Sequence, residues 1–302
     1  MGKDSSHGRS QSLIEQEHSI QNLRSYITVK LQQSGIADSD IETDIIIMEA
    51  LNLNRVELAS STKLIIPQSQ LDNIESILNR RVQREPLSYI LGNQPFYGLD
   101  FSINSHTLIP RPETELLVEE ILNFTENIRS LSVADIGTGS GVIAVSLAIM
   151  RPDYGFYAVD ISETAIAVAH QNANKHKVSH QITFEVGDLF ASTTEQFDII
   201  ASNLPYIPTD RISKLEKELS WEPIQALDGG LDGTQVISKL LEKSTLHVKR
   251  SSTIFLEIDN SHANTLINLT KRIYPLSKIT LKQDLQGFDR ILIIEPFDAT
   301  PT

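Results

Sequence analysis

The chain has 302 residues, 40% of them hydrophobic and 22% charged, which is enough for one large or two moderate domains with buried cores. It contains no cysteine, which excludes a disulfide scaffold, a cysteine-based zinc site and a thiol nucleophile. The formal net charge of −13 repels duplex nucleic acid unless basic residues gather on one face, so charge favours a protein or a small molecule as the substrate.

Residues 1–11 are polar and are predicted to form a disordered tail. This segment lacks the apolar centre of a secretory signal. No apolar run in the chain approaches the roughly 20 residues that a membrane helix needs. We therefore expect a cytoplasmic protein that makes no membrane contact.

Residues 12–85 are predicted to form a small helical domain. Gly35 is placed to end its first helix, in which apolar side chains recur at helical spacing at Leu13, Ile20, Leu23, Ile27 and Leu31. A second helix is predicted to begin at Ser39, with Glu42 completing a capping box. A third follows Pro67 and carries Leu71, Ile74, Ile77 and Leu78. Its end is interpreted as a solvated basic surface, with a ribosomal RNA contact as the alternative, because of Arg80, Arg81 and Arg84.

Residues 86–109 place glycine and proline between short apolar runs and are predicted to form a hairpin-like linker. From residue 110 to residue 302, strand-like and helix-like segments alternate, which predicts an α/β domain with a mostly parallel sheet covered on both faces. Seven segments read as strands: LSVADI, FYAVDI, ITFEV, FDIIAS, STIFLEI, KITL and RILIIEP. The last connection is short, so one of the two closing strands is expected to be antiparallel.

The first strand of this domain runs into a glycine-rich turn, whose candidate ligand-binding residues are Asp135, Gly137, Thr138, Gly139, Ser140 and Gly141. Such a turn brings the backbone close to a ligand and exposes free N–H groups at the start of the next helix. Taken alone, it fits a dinucleotide, a phosphate or no ligand. Asp160 ends the second strand, where a carboxylate can accept both ribose hydroxyls of an adenosine-containing ligand. Asp188 follows the third strand, where it can accept from an adenine amino group.

The segment Asn203-Leu204-Pro205-Tyr206 follows the fourth strand and is the candidate catalytic and substrate-binding segment. An amide nitrogen is a weak nucleophile because its lone pair is delocalised, so a group transfer to it needs acceptors for hydrogen bonds from its two N–H groups. The Asn203 side-chain oxygen and the Leu204 backbone carbonyl can be those acceptors. Pro205 restricts the preceding residue to an extended conformation, and Tyr206 offers a ring on which a planar group can stack. An ordinary turn is the alternative, but the position after the fourth strand favours the functional interpretation.

The chain resembles the HemK/PrmC family, the peptide chain release factor glutamine methyltransferases. Besides the glycine turn and the segment 203–206, the resemblance rests on residues 86–92 (PLSYILG), 108–115 (LIPRPETE), 222–223, 226–227 and 284–290 (DLQGFDR). It covers nearly the whole sequence, and the LIPRPETE segment is far more specific than the glycine turn. The resemblance implies a class I methyltransferase fold, which is Rossmann-like with a mostly parallel seven-stranded sheet, and a small helical amino-terminal domain that helps to dock the partner.

The resemblance also implies the reaction, in which a methyl group passes from S-adenosylmethionine to the side-chain nitrogen N5 of the glutamine in the Gly-Gly-Gln motif of class I peptide chain release factors. The spacing Gly137-x-Gly139-x-Gly141 departs from the dinucleotide pattern and agrees with this cofactor. By position, the cofactor would contact residues 137–141, Asp160, Leu189 and Asn203, and Asp135 would face its methionine end. Residues 203–206 would hold the glutamine. We expect no metal ion, no stable nucleic-acid binding and a monomer.

Three residues depart from the family pattern: Leu204 stands where a proline is usual, Leu189 where an aromatic is common, and Asp259 where glycine is common. Asn-Leu-Pro-Tyr also resembles ribosomal RNA adenine dimethylases. The alternative function is therefore an adenine N6-methyltransferase acting on DNA or RNA, which would need a flipped base and a basic channel. A catalytically silent cofactor-binding protein and an NAD oxidoreductase are weaker alternatives, because both leave the 203–206 segment unexplained.

Overall fold

The structure is a computed structural model that describes residues 20–60 and 66–296. The chain divides into two compact units, Met1–Leu91 and Gly92–Thr302, so the boundary falls inside the predicted linker 86–109. The predicted tail 1–11 and the start of the first predicted helix lie outside the described residues. Within the described ranges, no helix is long and apolar enough to cross a membrane.

In the first unit, residues 20–60 and 66–91 form five helices that enclose an apolar core. They are α1 (Ile20–Gln33), α2 (Ser39–Leu51), α3 (Arg55–Ser60), α4 (Gln68–Arg81) and α5 (Leu87–Leu91). The predicted apolar stripes are buried, including Ile27 and Leu31 of α1 and Ile74 of α4. Gly35 follows the end of α1 as predicted, with a φ of +76°, and the next N–H donates to the Leu31 carbonyl.

The predicted capping box at the start of α2 is wrong. Ser39 is the first residue of the helix and is buried, and Asp38 occupies the N-cap position without a side-chain hydrogen bond. Glu42 instead pairs with the buried guanidinium of Arg81 at 2.7 Å. A buried arginine needs a carboxylate partner more than a helix end needs a second cap, so the tertiary contact decides the position of Glu42.

The basic residues near the end of α4 are engaged within the first unit. Besides the Arg81 ion pair, Arg80 pairs with Glu85 at 2.5 Å. Arg84 donates to the carbonyl of Gly35 at 2.6 Å. Arg81 is buried, Arg84 is half-buried and Arg80 stays exposed beside its partner, so the predicted solvated surface holds for Arg80 and not for Arg81.

The second unit begins with an antiparallel hairpin, which lies within the residues 86–109 that were predicted to form a hairpin-like linker. Strands β1 (Asn93–Phe96) and β2 (Leu99–Ser102) pair from Asn93 with Ser102 to Phe96 with Leu99. Phe96 and Phe101 are fully buried and meet edge to face, with ring centroids 5.9 Å apart. The hairpin therefore belongs to the core of the second unit.

The second unit contains the predicted seven-stranded sheet. Its strands are β3 (Ser132–Ile136), β4 (Gly155–Asp160), β5 (Ile182–Val186), β6 (Phe197–Ser202), β7 (Val248–Glu257), β8 (Lys278–Gln283) and β9 (Asp289–Glu295). They lie in the order β5-β4-β3-β6-β7-β9-β8. Strands β3 to β7 run parallel to one another, whereas β9 is antiparallel to both β7 and β8, which confirms the expected antiparallel closing strand.

Helices cover both faces of this sheet. The helices of this unit are α6 (Pro112–Phe124), α7 (Val142–Met150), α8 (Glu163–Lys175), the short α9 (Thr209–Ile212), which has no buried residue, α10 (Gln235–Ser244) and α11 (Ala263–Ile273). Residues of α6 and α7 join one apolar cluster, and residues of α10 and α11 join the other. The chain leaves β3 toward β4 and β5 and returns to β6 on its other side. This reversal opens a crevice at the carboxyl ends of β3 and β6, the usual ligand position in such sheets.

Candidate active site

A cavity of about 790 Å³ lies at the carboxyl ends of β3, β4, β5 and β6. That volume suits a ligand of cofactor size. Its walls come from residues 106–108, 110–111, 137–140, 159–161, 187–189, 203–205 and 223–226, among others. The structure thus brings together the glycine turn, the acidic strand ends and most of the 203–206 segment.

The glycine turn forms one wall of the cavity and needs glycine for steric reasons. Gly137 has a φ of +76°, and a Cβ there would lie 2.8 Å from the Leu204 side chain. The N–H of Gly139 donates to Asp160 at 2.9 Å. Thr138 and Ser140 line the cavity, whereas Gly141 does not, because it caps α7 and packs closely against Ala169. The turn is thereby tied to the acidic end of β4.

Asp135 lies beneath the glycine turn and does not line the cavity. Its Oδ2 accepts from the Thr138 hydroxyl at 2.6 Å and from the Ala144 N–H at 3.1 Å. Complete burial raises the pKa of Asp135 to about 6. The carboxylate therefore braces the turn and the first residues of α7 from below.

Asp160 lines the cavity at the end of β4. Oδ1 accepts from the Ser162 N–H and Oδ2 from the Gly139 N–H, both at 2.9 Å. Burial raises the pKa of Asp160. Each carboxylate oxygen has a second acceptor site, so the fixed carboxylate can accept two hydroxyls from a ligand.

Substituting Asp160 by alanine is expected to weaken S-adenosylmethionine binding by about 10- to 100-fold, because hydrogen bonds to a charged group contribute about 1.5–3 kcal/mol. Isothermal titration calorimetry measures the affinity. Asp153→Ala, which removes an exposed carboxylate from the turn before β4, is the control and should leave binding unchanged. Equal affinities for the two variants would contradict a role for Asp160 in the cofactor site.

Asp188 and Leu189 follow β5 and form a third part of the wall. The Asp188 carboxylate is largely exposed and pairs with Lys243 at 3.0 Å. Leu189 is buried and has a φ of +57°, a conformation that a leucine rarely adopts. Backbone strain of this kind concentrates where structure serves a ligand site. Gly187 precedes them. A Cβ at this position would lie 2.4 Å from the Ala191 side chain, which explains why the residue is glycine.

Within the 203–206 segment, Asn203, Leu204 and Pro205 line the cavity and Tyr206 does not. Asn203 Nδ2 donates to the Thr114 hydroxyl at 2.9 Å. Leu204 is buried against Gly137. Burial and the nearby Glu257 carboxylate raise the pKa of Tyr206. The phenol is thus turned toward buried protein groups, and its ring is not part of the cavity wall.

Several residues of the site were not found from the sequence. Thr114 and Glu257 are both 2% exposed and hydrogen-bond to each other beside Asn203 at 2.7 Å. Arg111 lines the cavity and pairs with Glu222, which also accepts from the Ile109 N–H at 3.0 Å. A carboxylate directly after the apolar run Ile254-Phe255-Leu256 of β7 was the available signal for Glu257. Nothing in the sequence alone connects Arg111 to Glu222.

The buried carboxyl group of Glu257 predicts a pH-dependent stability. Burial raises the pKa of Glu257 from its ordinary 4.5 to about 7. Since the folded pKa exceeds the unfolded one, the stabilising contribution is complete below about pH 4.5 and is lost as the pH rises through 7.

Glu257→Gln is therefore expected to be more stable than the native chain at pH 8 by up to a few kcal/mol, at about 1.4 kcal/mol per pKa unit. The difference should shrink toward pH 5. Urea unfolding at both pH values measures it. Glu126→Gln, at an exposed position after α6, is the control. A difference between Glu257→Gln and the native chain that does not change with pH would contradict the burial argument.

The sheet order, the single antiparallel strand and the cavity beyond the glycine turn define a class I methyltransferase, which confirms the predicted fold class. A protein-family model described as "Methyltransferase domain" matches residues 129–252, and one described as "PrmC N-terminal domain" matches residues 22–92. The catalytic domain of hMettl16 in complex with an RNA hairpin has the same fold, with a TM-score of 0.54 and 15% identity over 75% of this chain and 84% of that one.

Curated relatives identify the family. The release factor glutamine methyltransferase of Thermodesulfovibrio yellowstonii is 34% identical over 84% of this chain and 91% of its own length. That of Geobacter sulfurreducens is 36% identical over 87% of this chain and 91% of its own length. The chain belongs to the release factor glutamine methyltransferase family, which confirms the resemblance seen in the sequence.

Proposed function

We propose that this chain transfers a methyl group from S-adenosylmethionine to N5 of the glutamine in the Gly-Gly-Gln motif of class I peptide chain release factors, in the cytoplasm. The observation that carries the chemistry is the fixed Asn203 side chain in the cavity wall, whose amide nitrogen is held by Thr114. The identity of the target is supported by the name that the curated relatives share.

The residues around the cavity fit S-adenosylmethionine. A Cβ at Gly137 would meet Leu204, so the turn keeps its conformation beside the cavity only as glycine. Residues 137–140, Asp160, Asp188 and Leu189 would hold the cofactor. When bound, S-adenosylmethionine supplies an electrophilic methyl group on a positively charged sulfur. Asp135 would act through the turn that it braces.

The protein's own groups make the glutamine amide reactive. Asn203 Oδ1 and the Leu204 carbonyl accept hydrogen bonds from the two N–H groups and so fix the direction of the nitrogen lone pair. Such positioning contributes roughly 7–11 kcal/mol of barrier lowering in well-oriented reactions. Both acceptors also become stronger partners as positive charge develops on the nitrogen. The N–H proton becomes acidic at that stage and leaves to water, so no strong base is required.

The first unit is proposed to dock the release factor. Its residues 22–92 match a domain named for this family, and Arg80 and Arg81 near the end of α4 are paired with carboxylates, which disfavours a role for them in holding RNA. We also propose that the protein acts as a monomer, without stable nucleic-acid binding.

The adenine N6-methyltransferase alternative fits the same four residues, because an exocyclic amine is also planar. The net charge of −13 disfavours it, since a nucleic-acid substrate needs a basic channel. The name shared by the curated relatives, which are 34% and 36% identical over most of this chain, also favours glutamine as the target.

The test incubates the purified chain with S-adenosylmethionine and, separately, a class I release factor, its Gln→Ala variant at Gly-Gly-Gln, and unstructured DNA and RNA. Intact-mass analysis should find a single methyl group on the native release factor and none on the variant. A methyl group on nucleic acid alone would overturn the proposal in favour of the adenine alternative.

A further inference from the structure

A chain of three side chains runs from the cavity wall into the protein interior. Asn203 Nδ2 donates to Thr114 Oγ1 at 2.9 Å, and Thr114 Oγ1 donates to Glu257 Oε2 at 2.7 Å. The residues come from three elements: Asn203 follows β6, Thr114 lies in the first turn of α6, and Glu257 ends β7. Only Asn203 and Thr114 line the cavity.

The proton on the Thr114 hydroxyl sets the direction of this chain. An ionised carboxylate only accepts, so the hydroxyl must donate its one proton to Glu257. Thr114 Oγ1 can then only accept from Asn203, which must present its NH2 group. The amide oxygen of Asn203 is therefore left as the acceptor for a group in the cavity. Without this chain, rotating the amide by half a turn would exchange an acceptor for a donor.

We propose that Thr114 and Glu257 are positioning residues that fix the Asn203 amide with its oxygen available to the target nitrogen. The inference rests on the proposed function and deepens it, because a donor at that position would repel the N–H bonds of a glutamine amide. Neither residue needs to touch the substrate.

The surroundings of Glu257 agree with this role. Glu113 of α6, Arg290 of β9 and Tyr206 are the charged and titratable groups that act on it. Arg290 is itself paired with Asp284 at 2.8 Å, so the Glu257 carboxylate has no dedicated ion-pair partner among the described residues. A buried carboxylate without such a partner is costly, and its hydrogen bond from Thr114 offsets part of that cost. The buried carboxylate therefore fits the role of orienting the Thr114 hydroxyl.

The first test is substrate-free. Side-chain amide exchange of Asn203, followed by ¹⁵N NMR on the full chain, should be slow in the native protein. It should become at least several-fold faster in Thr114→Val, which keeps the shape and removes the hydroxyl, and stay slow in Thr114→Ser. Unchanged exchange in Thr114→Val would overturn the proposal. Because no release factor is present, this result stands apart from the proposed function.

The second test is kinetic. Thr114→Val is expected to lower kcat for release factor methylation about tenfold, as for other supporting hydrogen bonds, with KM and S-adenosylmethionine affinity nearly unchanged. Thr114→Ser should restore kcat. Protonated Glu257 can donate to the Thr114 hydroxyl, which reverses the direction of the hydrogen-bond chain. We therefore expect kcat of the native enzyme to fall as the pH drops below about 7. This fall should be absent in Thr114→Val, which has no hydroxyl through which the reversal can pass.

Thr270→Val is the matched control. It removes another fully buried helical hydroxyl, which donates to the Leu266 carbonyl at 2.8 Å, far in sequence from the site. It should lower Tm and leave kcat and its pH profile unchanged. If Thr270→Val lowers kcat as much as Thr114→Val does, the effect is structural and the positioning role is overturned.

Discussion

Replacing Asn203 by alanine is expected to lower kcat/KM for release factor methylation by at least about 100-fold, because removing one preoriented polar group typically costs 10²–10³ in rate. The side-chain amide of Asn203 is held by the buried Thr114 hydroxyl, and its oxygen remains available in the cavity. Mass-spectrometric rates on the release factor measure the effect.

The Asn203→Ala result is informative only if the cofactor still binds and the chain still folds. S-adenosylmethionine affinity should fall less than about tenfold, since the glycine turn and Asp160 are intact. Asn174→Ala, on the exposed face of α8, is the control and should keep the full rate. A rate within a few-fold of the native enzyme would exclude Asn203 as an acceptor for the target nitrogen.

The sheet could be predicted from the sequence because its strands are short apolar runs with helices between most of them. Such patterns reflect burial on both faces and need no knowledge of partners. The reversed β9 could be anticipated from a short connection. Its insertion between β7 and β8 could not, because strand order depends on contacts that no local pattern records.

Cavity-lining residues at strand ends could also be predicted from the sequence. Asp160 and residues 203–205 could be predicted because the ends of parallel strands meet at one edge of a sheet. Asp135 shows the limit of this reasoning. It is placed by the same rule, yet its side chain points beneath the turn and bonds to Thr138, since a fully buried carboxylate takes the nearest donors.

Residues that act through other residues were the ones missed. Thr114 is 89 positions from Asn203 and 143 positions from Glu257 along the chain. The capping box at Ser39 failed for a related reason, because Arg81 engages Glu42 from 39 positions away. A local pattern gives a residue's preference, and a distant charge or hydroxyl can override it.

Gly229→Ala is expected to lower methylation by about 100-fold and destabilise the second unit by about 1–3 kcal/mol, because overpacking of this size forces the backbone to move. A Cβ at Gly229 would lie 2.6 Å from the Gly233 carbonyl oxygen, 2.7 Å from Tyr206 Cα and 2.8 Å from the Pro205 carbonyl oxygen. The neighbouring backbone is pinned as well, since the Gly229 N–H donates to the Ile207 carbonyl at 2.9 Å. The strain therefore falls both on the Gly233 carbonyl and on the 203–206 segment, which presents the acceptors.

Gly155→Ala separates this steric effect from the general effect of replacing glycine. Neither glycine has a positive φ, and a Cβ at Gly155 meets no atom within 4 Å. Gly155→Ala should be neutral or slightly stabilising, because alanine restricts the unfolded chain. Urea unfolding and release factor methylation are measured on both variants. If Gly229→Ala loses stability but keeps its rate, the acceptors tolerate displacement, and the catalytic contribution of a fixed Asn203–Tyr206 backbone would have to be abandoned.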